Sequence, residues 1–328
     1  MDEEPVRPLL SIGEVLIDLI AVPPATGLLD VSQFDVRPGG APANVAVALA
    51  RLGILAAFCG VVGNDPFGMR LRTTLGDNRV DTSRVRLAEG TETSLALVWK
   101  DKDGDGHFRF VRLADRLLSF EDVVAAEIPN TAGIVVGSVA LSVEPSRSAI
   151  ARATEIAHEV GVPICFDVNA RPTLWRSRDE AISHCTPIAR RATLLKLSVD
   201  DARFLFGSGT ALEAFLTARS WTDGVVVLTD GARGSWFLPV GGDVPQHVPP
   251  YDVEAIEPTG AGDAFTAALI FRLLKHNWRP PERADVEFAA AAGALATTRS
   301  GALDGLPTRS EVEAFQATAK VSTRAISG

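Results

Sequence analysis

The sequence predicts an α/β fold, a mostly parallel sheet with helices on both faces and a small β-sheet standing off it. Two observations carry most of that expectation. From residue 133 onward, short apolar runs alternate with longer stretches of helical period, the rhythm of strands joined by right-handed crossovers. Between residues 94 and 113, two segments of period-two alternation flank a polar turn rich in Asp-Gly, which signals a hairpin. A third supports both: 46% of the 328 residues are apolar and recur throughout the chain, so one large unit can bury a continuous core.

In order, residues 9–20 read as an opening strand, followed by a turn at 23–27. Residues 43–52 carry helical period and stop at Gly53; 56–62 is a buried strand and 66–75 a helix. Leu95, Leu97 and Trp99 share one face of a strand, 108–113 alternates in the same way, and 101–106 joins the two. Strands follow at 133–139, 163–167, 194–197, 224–229 and 235–238, with helices at 145–160, 178–190, 264–275, 281–298 and 310–318. Residues 1–8 and 321–328 lack periodicity and are expected to fray. In such a sheet ligands gather outside the carboxyl ends of the strands.

The net charge is −9 and no Lys/Arg run forms a basic stripe, so a nucleic-acid partner is not expected. No apolar run approaches the ~20 residues that cross a bilayer, and the chain opens on Asp2, Glu3 and Glu4 rather than a basic leader. Cys59, Cys165 and Cys185 are widely spaced, outside any CxxC pair. They read as reduced thiols of a cytoplasmic protein.

Chemistry concentrates in Glu257-Pro-Thr-Gly-Ala-Gly-Asp263, which opens a helix. Thr259, Gly260, Ala261 and Gly262 are small, so a phosphate can approach N–H groups that the helix start leaves unpaired. A carboxylate at Asp263 would repel that ligand unless it has work there. Taking the proton of an attacking hydroxyl is such work. The residues alone also fit a glycine-rich turn with Asp263 as a helix cap. There is no GxxxxGK[ST], Phe265 breaks GxGxxG, and HRD, DFG, GxSxG and HExxH are missing. A second segment, Arg37-Pro-Gly-Gly-Ala-Pro-Ala-Asn44, leads into the next helix. Gly39 and Gly40 permit close approach of a ligand, and Asn44 can bond a pair of hydroxyls. Asp18, placed at the end of the opening strand, adds an acceptor. A generic turn-to-helix junction accounts for the same residues.

Together, Gly39-Gly40, Asn44, Gly53 and Gly63 resemble the first signature of the ribokinase-like (phosphofructokinase B) family, and Thr259 to Asp263 its second. Asp167-Val-Asn-Ala-Arg171 resembles the family's DxNxR turn, and residues 227–234 its nucleotide-site strand and turn. Gly301-Ala302 with Pro307 resembles its closing segment. The resemblance implies one kinase domain over 1–328, with a lid sheet from about 28–36 and 93–114 that often also joins a homodimer. It implies Asp263 as general base and Gly260, Ala261 and Gly262 as anion hole. Asp18, Gly39, Gly40 and Asn44 would hold the sugar, with Phe110, Arg112, Glu144 and Arg171 around it. Asn169, Lys196, Ser198, Thr229, Gly231 and Gly234 would lie along ATP. The family's magnesium-linked NxxE appears as Ser198-Val-Asp-Asp201, whose shorter acid would reach Mg²⁺ through a water. Glu257 stands where relatives usually carry Asp, so K⁺ beside Glu257 and Thr259 is a weaker implication.

Residues 137–145, 110–118 and 195–198 look most like fructokinases, implying transfer to the 6-hydroxyl of D-fructose. The rival is 2-keto-3-deoxygluconate kinase, whose acidic substrate would want Arg112 or Arg171. A nucleoside kinase is more distant. A non-catalytic family member is disfavoured because base and anion hole are both intact.

Overall fold

The computed structural model describes residues 7–22, 27–100, 106–207, 209–239 and 241–321. The turns expected at 23–27 and 101–106 lie outside those residues except for Gly27 and Gly106, as do most of the two termini.

The opening run is divided between two sheets. β1 (Leu9–Ile12) is buried on both faces and pairs in parallel on both sides in the large sheet, whereas β2 (Leu16–Ala21) belongs to the small one. Four successive buried residues suit a covered central strand; from Asp18 on, the half-open pattern suits a one-sided sheet. Asp18 therefore sits within the small sheet, not at the end of a main-sheet strand. β3 (Phe34–Gly39), α1 (Ala41–Arg51), β4 (Ala56–Gly63), α2 (Pro66–Asp77) and β5 (Val80–Ala88) follow. Next come β6 (Leu95–Lys100), β7 (Gly106–Val111), α3 (Phe120–Ala125) and β8 (Gly133–Gly137). α4 (Ser146–Glu159), β9 (Ile164–Asp167), α5 (Arg178–Arg191), β10 (Leu194–Ser198), α6 (Val199–Phe206) and α7 (Ala211–Arg219) continue the alternation. β11 (Val225–Thr229), β12 (Ser235–Phe237), β13 (Gln246–Val248), α8 (Ala261–Lys275), α9 (Arg283–Thr297) and α10 (Arg309–Thr318) complete it.

Among the described residues the large sheet holds nine strands in the order β13-β12-β11-β10-β9-β8-β1-β4-β5, parallel except for β12 and β13. Alternate residues of its strands feed two cores. Leu9, Val135, Cys165 and Leu194 pack with α1, α8 and α9; Leu10, Ile134, Phe166 and Leu195 pack with α4 and α5 on the other face. The strands missed by sequence reading include β5, an edge strand interrupted by the charged residues Asp81, Arg84 and Arg86; the missed helices α3, α6 and α7 are short. The three cysteines are buried and unpaired, and burial pushes each thiol up, Cys59 to about 12. No helix among the described residues is long and apolar enough to cross a membrane.

The small sheet runs β3-β2-β6-β7, with β6 and β7 forming the expected hairpin. Its extent corrects the expected lid: residues 16–21 and 34–39 join it, while Leu28–Asp30 is a 3₁₀ turn outside it. Lid and body meet closely at Gly40, between β3 and α1. Its φ is +109°, and a Cβ there would stand 2.6 Å from the Glu14 carbonyl oxygen in the link between β1 and β2. Gly40→Ala should therefore lower stability by about 1–3 kcal/mol. A urea midpoint equal to that of the parent chain would contradict this reading.

Candidate active site

Two helix N-termini converge at the carboxyl edge of the large sheet, those of α1 and α8. α8 starts at Ala261, earlier than its apolar period suggests, so Gly262 and Asp263 lie in its first turn. Gly260 precedes it at φ +84°, packed so closely that a Cβ would meet Ala302 O at 2.6 Å. The Ala261 N–H closes a turn on Pro258 O at 3.2 Å. The N–H groups of Gly262 and Asp263 have no intrahelical carbonyl to bond and remain for an anion. Ala261 therefore contributes shape rather than a donor. Gly262 is exposed, and Lys196 Nζ would be 3.3 Å from a Cβ there, placing an ammonium beside the same spot.

Asp263 is buried, 7% exposed, and its Oδ2 accepts a 2.8 Å hydrogen bond from Asn44 Nδ2 in the first turn of α1. Burial raises its pKa to about 6, aided by Asp167 and opposed by the Asn44 bond, Lys196 and Arg171. A carboxylate so tuned is a better base than an ordinary one and is still mostly ionised at neutral pH. Lys196 reaches both oxygens of Asp167 at 3.1 and 3.2 Å, and Thr266 donates to Asp167 at 2.6 Å. Burial works against the Lys196 charge, but Asp167, Asp201 and Asp263 outweigh it and hold its pKa up.

These groups form one wall of a cavity of about 780 Å³, closed on the other side by lid residues Leu16, Asp18, Ile20, Val98, Phe108 and Phe110. Asp18 leans over Gly39 on the adjacent strand, and burial lifts its pKa to about 7, with Asp263 and Glu257 adding and Arg171 opposing. Glu14, which sequence reading missed, also lines the cavity. It is 3% exposed, its Oε2 has no partner, and burial raises its pKa to about 7. The available signal was an acid immediately after Gly13 in an otherwise buried run. Asn44 Oδ1 is likewise buried without a partner.

Other expected residues divide. Arg171 lines the cavity, its guanidinium 5.4 Å from the Phe108 ring centroid and its Nη1 bonded to Asn169 Oδ1 at 2.5 Å. Asn169, Thr259 and Glu257 also line it; Glu257 Oε2 accepts from Gly301 N at 2.9 Å and Ser300 Oγ at 3.1 Å. Arg112 does not line it: Asp115, Val139 O and Ser142 Oγ hold its guanidinium. Glu144 does not either. Residues Val139–Ser142 coil into a 3₁₀ turn after β8 and carry Glu144 past the site, where it is exposed and accepts from Ser148 N at 3.2 Å. Thr229 pairs in register with Ser198, and Gly231 and Gly234 follow in the next turn, all outside this cavity.

Asp201, expected to reach Mg²⁺ through a water, has a structural role. Its Oδ2 accepts from Ser198 N and Oγ as a helix capping box, and its Oδ1 accepts from Ala170 N at 2.6 Å. Both oxygens thus brace the turn that presents Asn169 and Arg171. The described residues contain no group of three or more acids, histidines or cysteines that could hold a metal.

A helix start with free N–H groups, an adjacent ammonium and a buried base facing a polar cavity form the apparatus of an alcohol phosphotransferase. Residues 7–309 match the pfkB family carbohydrate kinase description, and the chain belongs to that family. It is 38% identical to fructokinase-1 of Zea mays, covering 93% of this chain and 96% of that one, with the same identity to fructokinase-1 of Oryza sativa. The fructokinase of Vibrio cholerae O395, solved in fructose, ADP and calcium ion bound form, is similar with a TM-score of 0.80. It is 32% identical, covering 94% of this chain and 99% of that one. An aminoimidazole riboside kinase from Salmonella enterica is 28% identical with a TM-score of 0.79, covering 94% and 99%.

Asp263→Asn should reduce kcat by roughly 10²-fold or more while ADP binding holds or tightens, as calorimetry would report. In the parent enzyme kcat/KM should fall as pH drops through about 6, where Asp263 takes up its proton; a flat profile from pH 5 to 8 would speak against the assignment. Glu14 gives a separate signature. Because its pKa is raised, the folded state binds the extra proton, and stability falls as pH rises from its ordinary value toward about 7. Glu14→Gln should thus stabilise the fold by on the order of 2 kcal/mol at pH 8, with no gain at pH 4, measured by denaturant unfolding.

Proposed function

We propose that the protein is an ATP-dependent fructokinase, transferring the γ-phosphoryl group to the 6-hydroxyl of D-fructose. The charge balance of the cavity carries this reading: Glu14, Asp18, Glu257 and Asp263 face Arg171 and Lys196, and Lys196 already serves Asp167. Acceptors without partners at Glu14 and Asn44 suit the hydroxyls of a neutral sugar. A sugar acid would meet four acidic side chains, of which Glu14 and Asp18 are partly protonated near neutral pH, with Arg171 as its counter-charge. The fructokinases among the relatives point the same way.

In this reading Asp263 takes the proton from the hydroxyl as its oxygen attacks the γ-phosphorus. The N–H groups of Gly262 and Asp263, together with Lys196, receive the charge that develops on the phosphoryl oxygens. The lid supplies Phe108, Phe110 and Val98 as an apolar platform and shields the reacting group from water. Asn169, Ser198, Thr229, Gly231 and Gly234 would track the nucleotide along the carboxyl edge of the sheet. A divalent ion would come in on the nucleotide's phosphates with its waters and neutralise their charge. Potassium beside Glu257 and Thr259, and a homodimer through the lid sheet, complete the proposal. The Vibrio relative has also been solved with potassium ion bound, as a double mutant.

The test is kcat/KM measured side by side for fructose, 2-keto-3-deoxygluconate and aminoimidazole riboside in one coupled ATP assay. Fructose should lead by at least about tenfold, the worth of one unfavourable buried contact. Asp18→Asn should weaken fructose use roughly 10- to 100-fold, while Glu144→Ala should leave it unchanged. A higher value for either competitor would replace this reading.

A further inference from the structure

Behind the phosphate-binding turn lies a second cleft, of about 210 Å³, between α1, α2, β3 and the 301–304 loop. Arg37, Arg51 and Arg70 line it together with Thr74, Asn78 and Asp304. Arg37 is neutralised by Asp35 at 2.7 Å and Asp304 at 2.9 Å. The other two guanidiniums have only neutral partners among the described residues. Arg51, half-buried, donates to Asn78 Oδ1 and to the carbonyls of Leu303 and Leu306; Arg70 donates to Val36 O at 3.2 Å. Burial costs the Arg51 charge part of its hydration and lowers its pKa, with Asp304 and Glu311 opposing from a distance. Glu311 itself is engaged by Arg299 and Thr308.

Two guanidinium forks that no carboxylate bonds, beside a hydroxyl and with Asp304 of the lining paired to Arg37, match the geometry of a phosphoryl group better than that of a point charge. The wall of this cleft is also the wall of the catalytic turn. Ala302 packs against Gly260 with its carbonyl 2.6 Å from where a Cβ would stand, and Gly301 N is held by Glu257 of the main cavity. We propose that this cleft is a second anion site, taking inorganic phosphate or a phosphate monoester and opposing nucleotide binding through the 301–304 loop. An anion there lowers the positive potential at the adjacent helix start and competes for the Arg51 N–H groups that hold Leu303 and Leu306. The inference does not depend on which sugar the enzyme uses.

Calorimetry at constant ionic strength tests it, with the catalytic cavity filled by ADP and fructose and with inorganic phosphate or fructose 6-phosphate as titrant. Either titrant should bind the parent protein, and whichever binds tighter identifies the source. Arg70→Ala and, separately, Thr74→Glu should abolish that binding while leaving ADP affinity in phosphate-free buffer unchanged, since neither residue touches the catalytic cavity. In the parent chain, the titrant should raise the Kd for ADP by at least about fivefold, a common size for coupling between sites, and should have no such effect in the variants. Absence of binding at 10 mM, roughly the weakest affinity that would matter against millimolar phosphate, would overturn the proposal. So would binding or antagonism that persists in both variants, or binding that leaves ADP affinity unaltered.

Discussion

The hydrogen bond from Asn44 to Asp263 joins residues 219 positions apart and pins the N-terminus of α1 to that of α8. Each helix start brings unpaired N–H groups and the positive end of a dipole to the same place. An acid can be buried there because the bond, together with Lys196 and Arg171, offsets its desolvation. Without that compensation burial would push the carboxyl further toward its protonated form, which cannot act as a base. The catalytic wall thus depends on two distant segments being held in register by one amide.

Behind it lies a buried ion pair. Lys196 and Asp167, with side chains 6% and 7% exposed, face each other across β10 and β9, and Thr266 of α8 donates to the same carboxylate. Buried pairs of this kind add little to stability against an apolar alternative, but removing one partner leaves an uncompensated charge. Its value here is positional. It aims an ammonium at the open side of Gly262 and ties the α8 start to the sheet edge from which it would otherwise be free to shift.

The substrate side rests on a different constraint, the close meeting of lid and body at Gly40 and Glu14. Because the lid strand passes within van der Waals distance of the body there, Asp18 and Phe108 are presented over the site rather than away from it. The resulting cavity is rich in carboxyls that burial leaves partly protonated near neutral pH. Such carboxyls can both accept from and donate to sugar hydroxyls, which a pocket of fully ionised acids could not do.

Much of this was legible from local pattern. The alternation after residue 133 and the hairpin around β6 and β7 follow from side-chain period, and the small residues before Asp263 mark a helix start open to phosphate, because each depends on neighbours in sequence. Family resemblance implied Asp263 as base, Asn44 toward the sugar and Lys196 along ATP, and the structure brings the three side chains together at one wall. Only the tertiary structure decided which further residues reach the cavity. A break after β1 sends Asp18 into the lid and turns Glu14 inward; a 3₁₀ turn after β8 carries Glu144 out. Besides their neighbours Asp115 and Ser198, Arg112 and Asp201 are held by Val139 and Ala170, each about 30 positions away. The two arginines that meet behind the anion turn come from different helices. Such partnerships are set by where the chain bends and what it packs against, and no residue period records either.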